Sequence, residues 1–133
     1  MVDDSDTDEH RKRLLRTILR TLNTFSHDIE ASAAISSDGI MLASVLGENT
    51  DGDRFGAMCA SLLALAERAA AEIARGKLKQ VLIEGDKGVM LLVHAGSDTV
   101  LAVAARPTVN LGMVFIEARK CASKIDLAMQ SAT

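Results

Sequence analysis

Between Phe55 and Arg75 the chain carries a helical pattern with no evident solvent face. Projected at about 100° per residue, Phe55, Cys59, Leu62, Leu63, Ala66, Ala69, Ala70 and Ile73 fall on one apolar stripe. The opposite side holds Ala57, Ala60, Ala64, Ala71 and Ala74, with Met58 and Leu65 at its border and Arg54, Ser61, Arg68, Glu72 and Arg75 along its flank. One apolar stripe serves a domain's own core, and a second needs a second partner. Ala57, Ala64 and Ala71 are seven residues apart, so their small side chains line a seam that another helix can approach closely. Alanine is also a good helix former that is cheap on a solvated surface, so the seam competes with a plain exposed face. The economical occupant is the same helix of a second copy, because twofold dimers are the commonest oligomers.

The rest of the pattern places this helix in an αββαβββα order. Residues 1–7 read as a flexible acidic tail and 8–130 as a single domain. Asp6 with Glu9 three residues on suggests a helix start. Helix one then runs to Phe25 with Leu14, Leu15, Ile18, Leu22 and Phe25 as its stripe, and Arg11, Lys12, Arg13, Arg16 and Arg20 on its other side. Strand-like runs at 30–37 and 40–46 flank Asp38-Gly39, a pair that tolerates the positive backbone angles of a tight hairpin. A polar connector, 47–53, leads into helix two, which Gly76 is suited to stop. Three further runs, 78–84, 88–95 and 98–105, are joined by short turns, which makes them antiparallel neighbours. Helix three opens after Pro107 and carries Leu111, Val114, Phe115, Ala118, Cys121, Ala122, Ile125 and Met129 as its core stripe. The expectation is an α/β sandwich: a five-stranded, mainly antiparallel sheet with one long helix on one face and two on the other. Val81, Leu82 and Ile83 follow helix two directly, so a twofold axis that pairs the helices can also pair this strand with its copy and close an open edge.

Composition narrows the chemistry. Aromatic residues make up 2% of the chain and there is neither Trp nor Tyr, so platforms for stacking bases or sugars are lacking. Net charge is −3, and the opening stretch through Glu9 takes five of the 18 acids, leaving the remainder only slightly basic. That balance does not suit nucleic-acid binding. His10, His27 and His94 lie in different elements without metal-ligand spacing, and Cys59 and Cys121 sit inside apolar helical patterns where a thiol packs as a small hydrophobe. No metal or cofactor is expected. The acids of 47–53 lack the ligand spacing of a calcium loop, Ser36-Ser37 lacks a nucleophile elbow, and the glycine pair at 85–88 lacks the spacing and following helix of a phosphate loop. The chain reads as a binding scaffold and not as an enzyme, without catalytic residues of its own. No run reaches the roughly 18 apolar residues that cross a bilayer, and no secretory leader is apparent, which points to the cytoplasm and to no integral membrane association.

Together, Ser36-Ser37-Asp38-Gly39-Ile40, Leu62 to Ala69, Gln80-Val81-Leu82-Ile83-Glu84-Gly85, Val100-Leu101-Ala102-Val103 and Asn110-Leu111-Gly112 resemble the Roadblock domain family of the dynein light chain type over about residues 12–125, and within it the bacterial or archaeal Mgl-type GTPase regulators. The resemblance implies a homodimer through the middle helices and third strands, which places Ala57, Ala60, Ala64, Ala71, Val81, Leu82 and Ile83 at the dimer interface. It also implies a small Ras-like GTPase as signalling partner, docked on Arg54, Met58, Ser61, Leu65, Arg68 and Glu72. In Mgl-type relatives hydrolysis is stimulated by reorienting the GTPase's own residues, so Arg54, Arg68 and Arg75 are not read as arginine fingers. The competing reading is a small-ligand sensory module of profilin-like architecture, which requires a pocket with convergent polar groups. The sequence shows no such cluster.

Overall fold

The computed structural model describes residues 4–107 and 110–131. Its elements are α1 (Asp4–Phe25), β1 (Ile29–Ser36), β2 (Met41–Val45), α2 (Gly52–Glu72), β3 (Gln80–Gly85), β4 (Gly88–His94), β5 (Thr99–Ala105) and α3 (Leu111–Ser131). The expected αββαβββα order is the observed one. All strand pairs are antiparallel, in the order β2-β1-β5-β4-β3. The β2–α2–β3 connection therefore carries the chain from one edge of the sheet to the other, so α2 bridges the two edge strands.

Strand alternation divides the apolar content into two cores. Ala34, Leu91, Val93, Leu101 and Val103 face α1 and α3, whereas Ala33, Ile35, Leu92, Val100 and Ala102 face Cys59 and Leu63 of α2. β5 has the pattern of a strand covered on both sides, with only Ala104 less than fully buried. This is why Val100 to Val103 read as a continuous apolar run. On α1 the buried positions are Leu15, Leu19 and Leu22, while Leu14 and Phe25 of the expected stripe are exposed over less than half of their surface. The buried Ser32 hydroxyl donates to Asn23 Oδ1 at 2.6 Å and ties α1 to β1.

Helix ends differ from expectation in two instructive ways. α1 begins at Asp4, so Asp6 lies within the helix and is not its cap; residues 1–3 of the expected tail lie outside the described residues. Acidic residues favour the positive end of a helix dipole, which extends α1 into the acidic stretch. α2 is capped by Asp51, whose carboxylate accepts from Arg54 N at 3.2 Å, and it stops well before Gly76. The stop is a Schellman pair: Arg75 N donates to Ala70 O at 2.8 Å and Ala74 N to Ala71 O at 3.1 Å. Ala74 occupies the left-handed position at φ 55°, where a Cβ is unfavourable. Ala74→Gly is expected to stabilise the fold by about 0.5–1 kcal/mol in urea unfolding, the relief of strain outweighing the added chain entropy. A loss of stability would show that Ala74 is held there without strain.

Candidate interaction surface

The outward side of α2 and the free edge of β3 form the candidate surface. Gly56, Cys59 and Leu63 are the buried residues of α2. Phe55, Leu62, Ala66 and Ala70 are half-buried beside them. Gly56 is small for a reason: a Cβ there would lie 3.0 Å from the Gly39 carbonyl oxygen, and one at Gly39 would lie 3.1 Å from Ala57 Cα. The Asp38-Gly39 turn, with Gly39 at φ 90°, thus seats the N-terminal half of α2 at backbone contact distance.

Two members of the expected core stripe are not in the core. Ala69 is exposed, and Ile73 is 62% exposed because the helix ends at Glu72 and Ile73 takes the non-helical cap conformation at φ −101°. Of the residues assigned to a dimer seam, Ala57, Ala64 and Ala71 are exposed, but Ala60 is half-buried beside the Gly39 turn. Ala60 and Ala64 line a recess of about 120 Å³ with Ser37, Ser97 and Thr99. The alanine border of α2 thus looks toward the hairpin turns at one end of the sheet. Val81 is half-buried against the α2-side core, while Leu82 and Ile83 are each 40% exposed.

The residues assigned to GTPase docking, Arg54, Met58, Ser61, Leu65, Arg68 and Glu72, are all exposed. They form two groups on the helix. Arg54, Ser61, Arg68 and Glu72 make its polar crest, and among the described residues none of those side chains is in an ion pair. Met58 and Leu65, 63% and 62% exposed, lie on the border opposite the alanines, next to Leu62, Ala69 and Ile73 by helical projection. Leu62 and Phe55 pack on the same core cluster as Val81 and Met90, and Ile83 pairs with Met90 on that face of the sheet. The exposed apolar border of α2 therefore continues toward the exposed apolar residues of β3.

The two sheet edges are not equivalent. β2 has five residues and its pairing slips at a bulge between Ala34 and Ile35, a device that blunts an edge. β3 pairs with β4 in unbroken register from Gln80 to Gly85 and has neither proline nor bulge, so its outer side is a regular row of free backbone groups.

One pair was missed from sequence. His94 Nε2 lies 2.6 Å from Glu67 Oε1, linking β4 to the second half of α2. His94 shares strand parity with Leu92, which faces α2, and Glu67 follows the buried Leu63 by one helical turn; those two parities are the signal that could have found it. The cysteines lie in different cores, Cys59 under α2 and Cys121 under α3, and burial pushes their thiols up to about 11 and about 12. Both are therefore protonated and poorly nucleophilic near neutrality. Among the described residues no three His, Cys, Asp or Glu side chains come together as a metal site, and no helix is long and apolar enough to cross a membrane.

Comparison with known proteins matches this geometry. An uncharacterised protein of Methanocaldococcus jannaschii is 38% identical over 112 residues, which cover 84% of this chain and 96% of that relative. The solved Roadblock/LC7 domain from Streptomyces avermitilis superposes with a TM-score of 0.81 at 20% identity, covering 86% of this chain and 97% of that one. Myxococcus xanthus MglB superposes with a TM-score of 0.84 at 17% identity, covering 100% of this chain and 96% of its own. Residues 19–105, which span α1 from Leu19 through the whole sheet, match the Roadblock/LC7 domain, and the chain belongs to that family.

Proposed function

We propose that this protein is a homodimeric, non-catalytic regulator or scaffold of the cytoplasm that binds a small Ras-like GTPase across the paired α2 helices. The observation that carries the reading is the apolar border of α2, with Met58, Leu65 and Ile73 each more than half exposed, running into the bare and regular edge of β3. A large apolar surface beside an open strand edge is costly to leave in water and characteristic of an interface. Pairing two β3 edges about a twofold axis joins the two sheets and brings the apolar borders of two α2 helices together. Val81, Leu82 and Ile83 then belong to the dimer interface, as do Met58 and Leu65, which the family resemblance assigns to the GTPase.

The polar crest of α2, Arg54, Ser61, Arg68 and Glu72, is left facing outward with the exposed alanines Ala57, Ala64 and Ala71 beside it. Small side chains let a partner approach the helix closely, and the unpaired charges on the crest set its orientation. This is the GTPase platform in the proposal. In this reading it acts by positioning residues of the GTPase, as the family resemblance implies.

Binding of fluorescently labelled small GTPases from the same cell, each loaded with GDP or a GTP analogue, tests the reading. A complex is expected in at least one nucleotide state, with Arg68→Glu weakening it about tenfold or more while the dimer persists. Absence of a complex in both states would remove the GTPase from the proposal. Single-turnover GTP hydrolysis separates the two remaining roles: a raised rate makes the protein a stimulating regulator, and an unchanged rate makes it a scaffold.

A further inference from the structure

The second half of α2, the connector to β3 and the β4–β5 turn enclose a cleft of about 720 Å³, within the range of small-molecule sites. Glu67, Lys77, Leu78, His94 and Ser97 line it. The recess of about 120 Å³ under α2 shares Glu67, His94 and Ser97 and adds the apolar side chains of Leu63 and Val100. A third hollow, about 300 Å³, shares Lys77, Leu78, His94 and Gly96 and brings Lys79, Arg119 and Asp126 to the other side of the connector. Convergent polar groups beside an apolar wall are therefore present here, drawn from α2, the connector and the β4–β5 turn.

Hydrogen bonding decides the sign of charge this cleft accepts. The acid of the cleft is engaged, since Glu67 holds His94 at 2.6 Å; Asp126, in the adjoining hollow, accepts from the neutral Gln130 Nε2 at 3.0 Å and keeps its charge. The donors are not engaged. Among the described residues, Lys77, Lys79 and Ser97 make no side-chain hydrogen bond or ion pair. Arg119 is held by the neutral Gln80 at 3.3 Å, which leaves its charge uncompensated. Free ammonium and hydroxyl donors facing a cleft whose carboxylate is occupied favour an anionic ligand.

We propose that this cleft binds a small organic anion, its carboxylate or phosphate group lying between Lys77 Nζ and Ser97 Oγ and its carbon body against Leu78. The site does not rest on the GTPase reading, since none of the polar crest residues of α2 lines it. In that arrangement Glu67 and His94 shape the wall by bracing α2 against β4, and they do not contact the anionic group.

The test is titration of the ¹⁵N-labelled full-length protein with succinate, glycerol 3-phosphate and inorganic phosphate, followed by amide shifts. The expected result is saturable movement of the Lys77, Gly96 and Ser97 amides, with a Kd of about 1 mM or tighter for one organic anion and weaker binding of inorganic phosphate, which lacks the carbon body. Lys77→Glu is expected to weaken binding at least about tenfold and Lys79→Ala far less, with both spectra otherwise native. Succinate and glycerol 3-phosphate distinguish a carboxylate from a phosphate ligand. Linear, non-saturating shifts with all three probes, or saturable shifts indifferent to Lys77→Glu, would overturn the proposal.

Discussion

Leu65→Glu and Ile83→Lys, made separately, are each expected to weaken dimerisation by about 30- to 1,000-fold, so that sedimentation at micromolar concentration finds monomers where the parent protein is dimeric. Leu65 is 62% exposed on the apolar border of α2, and Ile83 is 40% exposed on β3 on the sheet face that α2 covers. A charge at either place must be buried without a partner if the helices and strand edges are to meet. Neither side chain belongs to the buried core, so circular dichroism should show the monomeric variants folded. Ala64→Glu completes the comparison. It lies on the alanine border near the hairpin turns, and in the proposed arrangement it leaves the dimer intact while impairing GTPase binding. Dissociation by Ala64→Glu with an undisturbed dimer in Leu65→Glu would place the seam along the alanines instead.

Gly88→Ala is expected to cost about 3 kcal/mol or more in urea unfolding, a large share of the roughly 5–15 kcal/mol that holds a typical domain together. Gly88 opens β4 at φ 147°, and a Cβ there would overlap the Ala105 carbonyl oxygen at the end of β5. The contact is with backbone in the middle of the sheet, so relief requires β4 and β5 to separate where Val89 pairs with Ala105. Gly85→Ala is the control in the same turn: its nearest neighbour would be the Gly88 carbonyl oxygen at 3.7 Å, ordinary van der Waals contact. A loss below about 1 kcal/mol, the usual scale of a surface change, would show that this turn can shift without disturbing the sheet.

Much of the fold was legible because the signals are local. The helix and strand runs, the Asp38-Gly39 hairpin and the order αββαβββα follow from periods of 3.6 and 2 and from turn residues at their boundaries. β5 shows where that reading thins out. Its continuous apolar run marks a strand covered on both faces, yet the run does not say that β1 is its neighbour; that pairing joins residues about 70 positions apart and depends on the whole sheet closing. The α2 stripe shows a second limit. A helical wheel placed Ile73 in the core and Ala60 on the outside, because it assumed a straight helix to Arg75 with one flat contact. The helix stops at Glu72, and its approach to the Gly39 turn half-buries Ala60.

The candidate surface divides in the same way. By itself the sequence determined that one helix carries more apolar surface than a single core can use and that the chain resembles the Roadblock family. Those properties reside in residue types and their spacing. Only the tertiary structure decided which border of α2 continues toward β3, which sheet edge is bulged and which is bare, and that Glu67 and His94, 27 positions apart in the chain, meet at 2.6 Å beside unpartnered Lys77 and Ser97. Residue periodicity reports the direction of a side chain relative to its own element; contact between elements is set by where packing places them, and that information exists only once the chain has closed on itself.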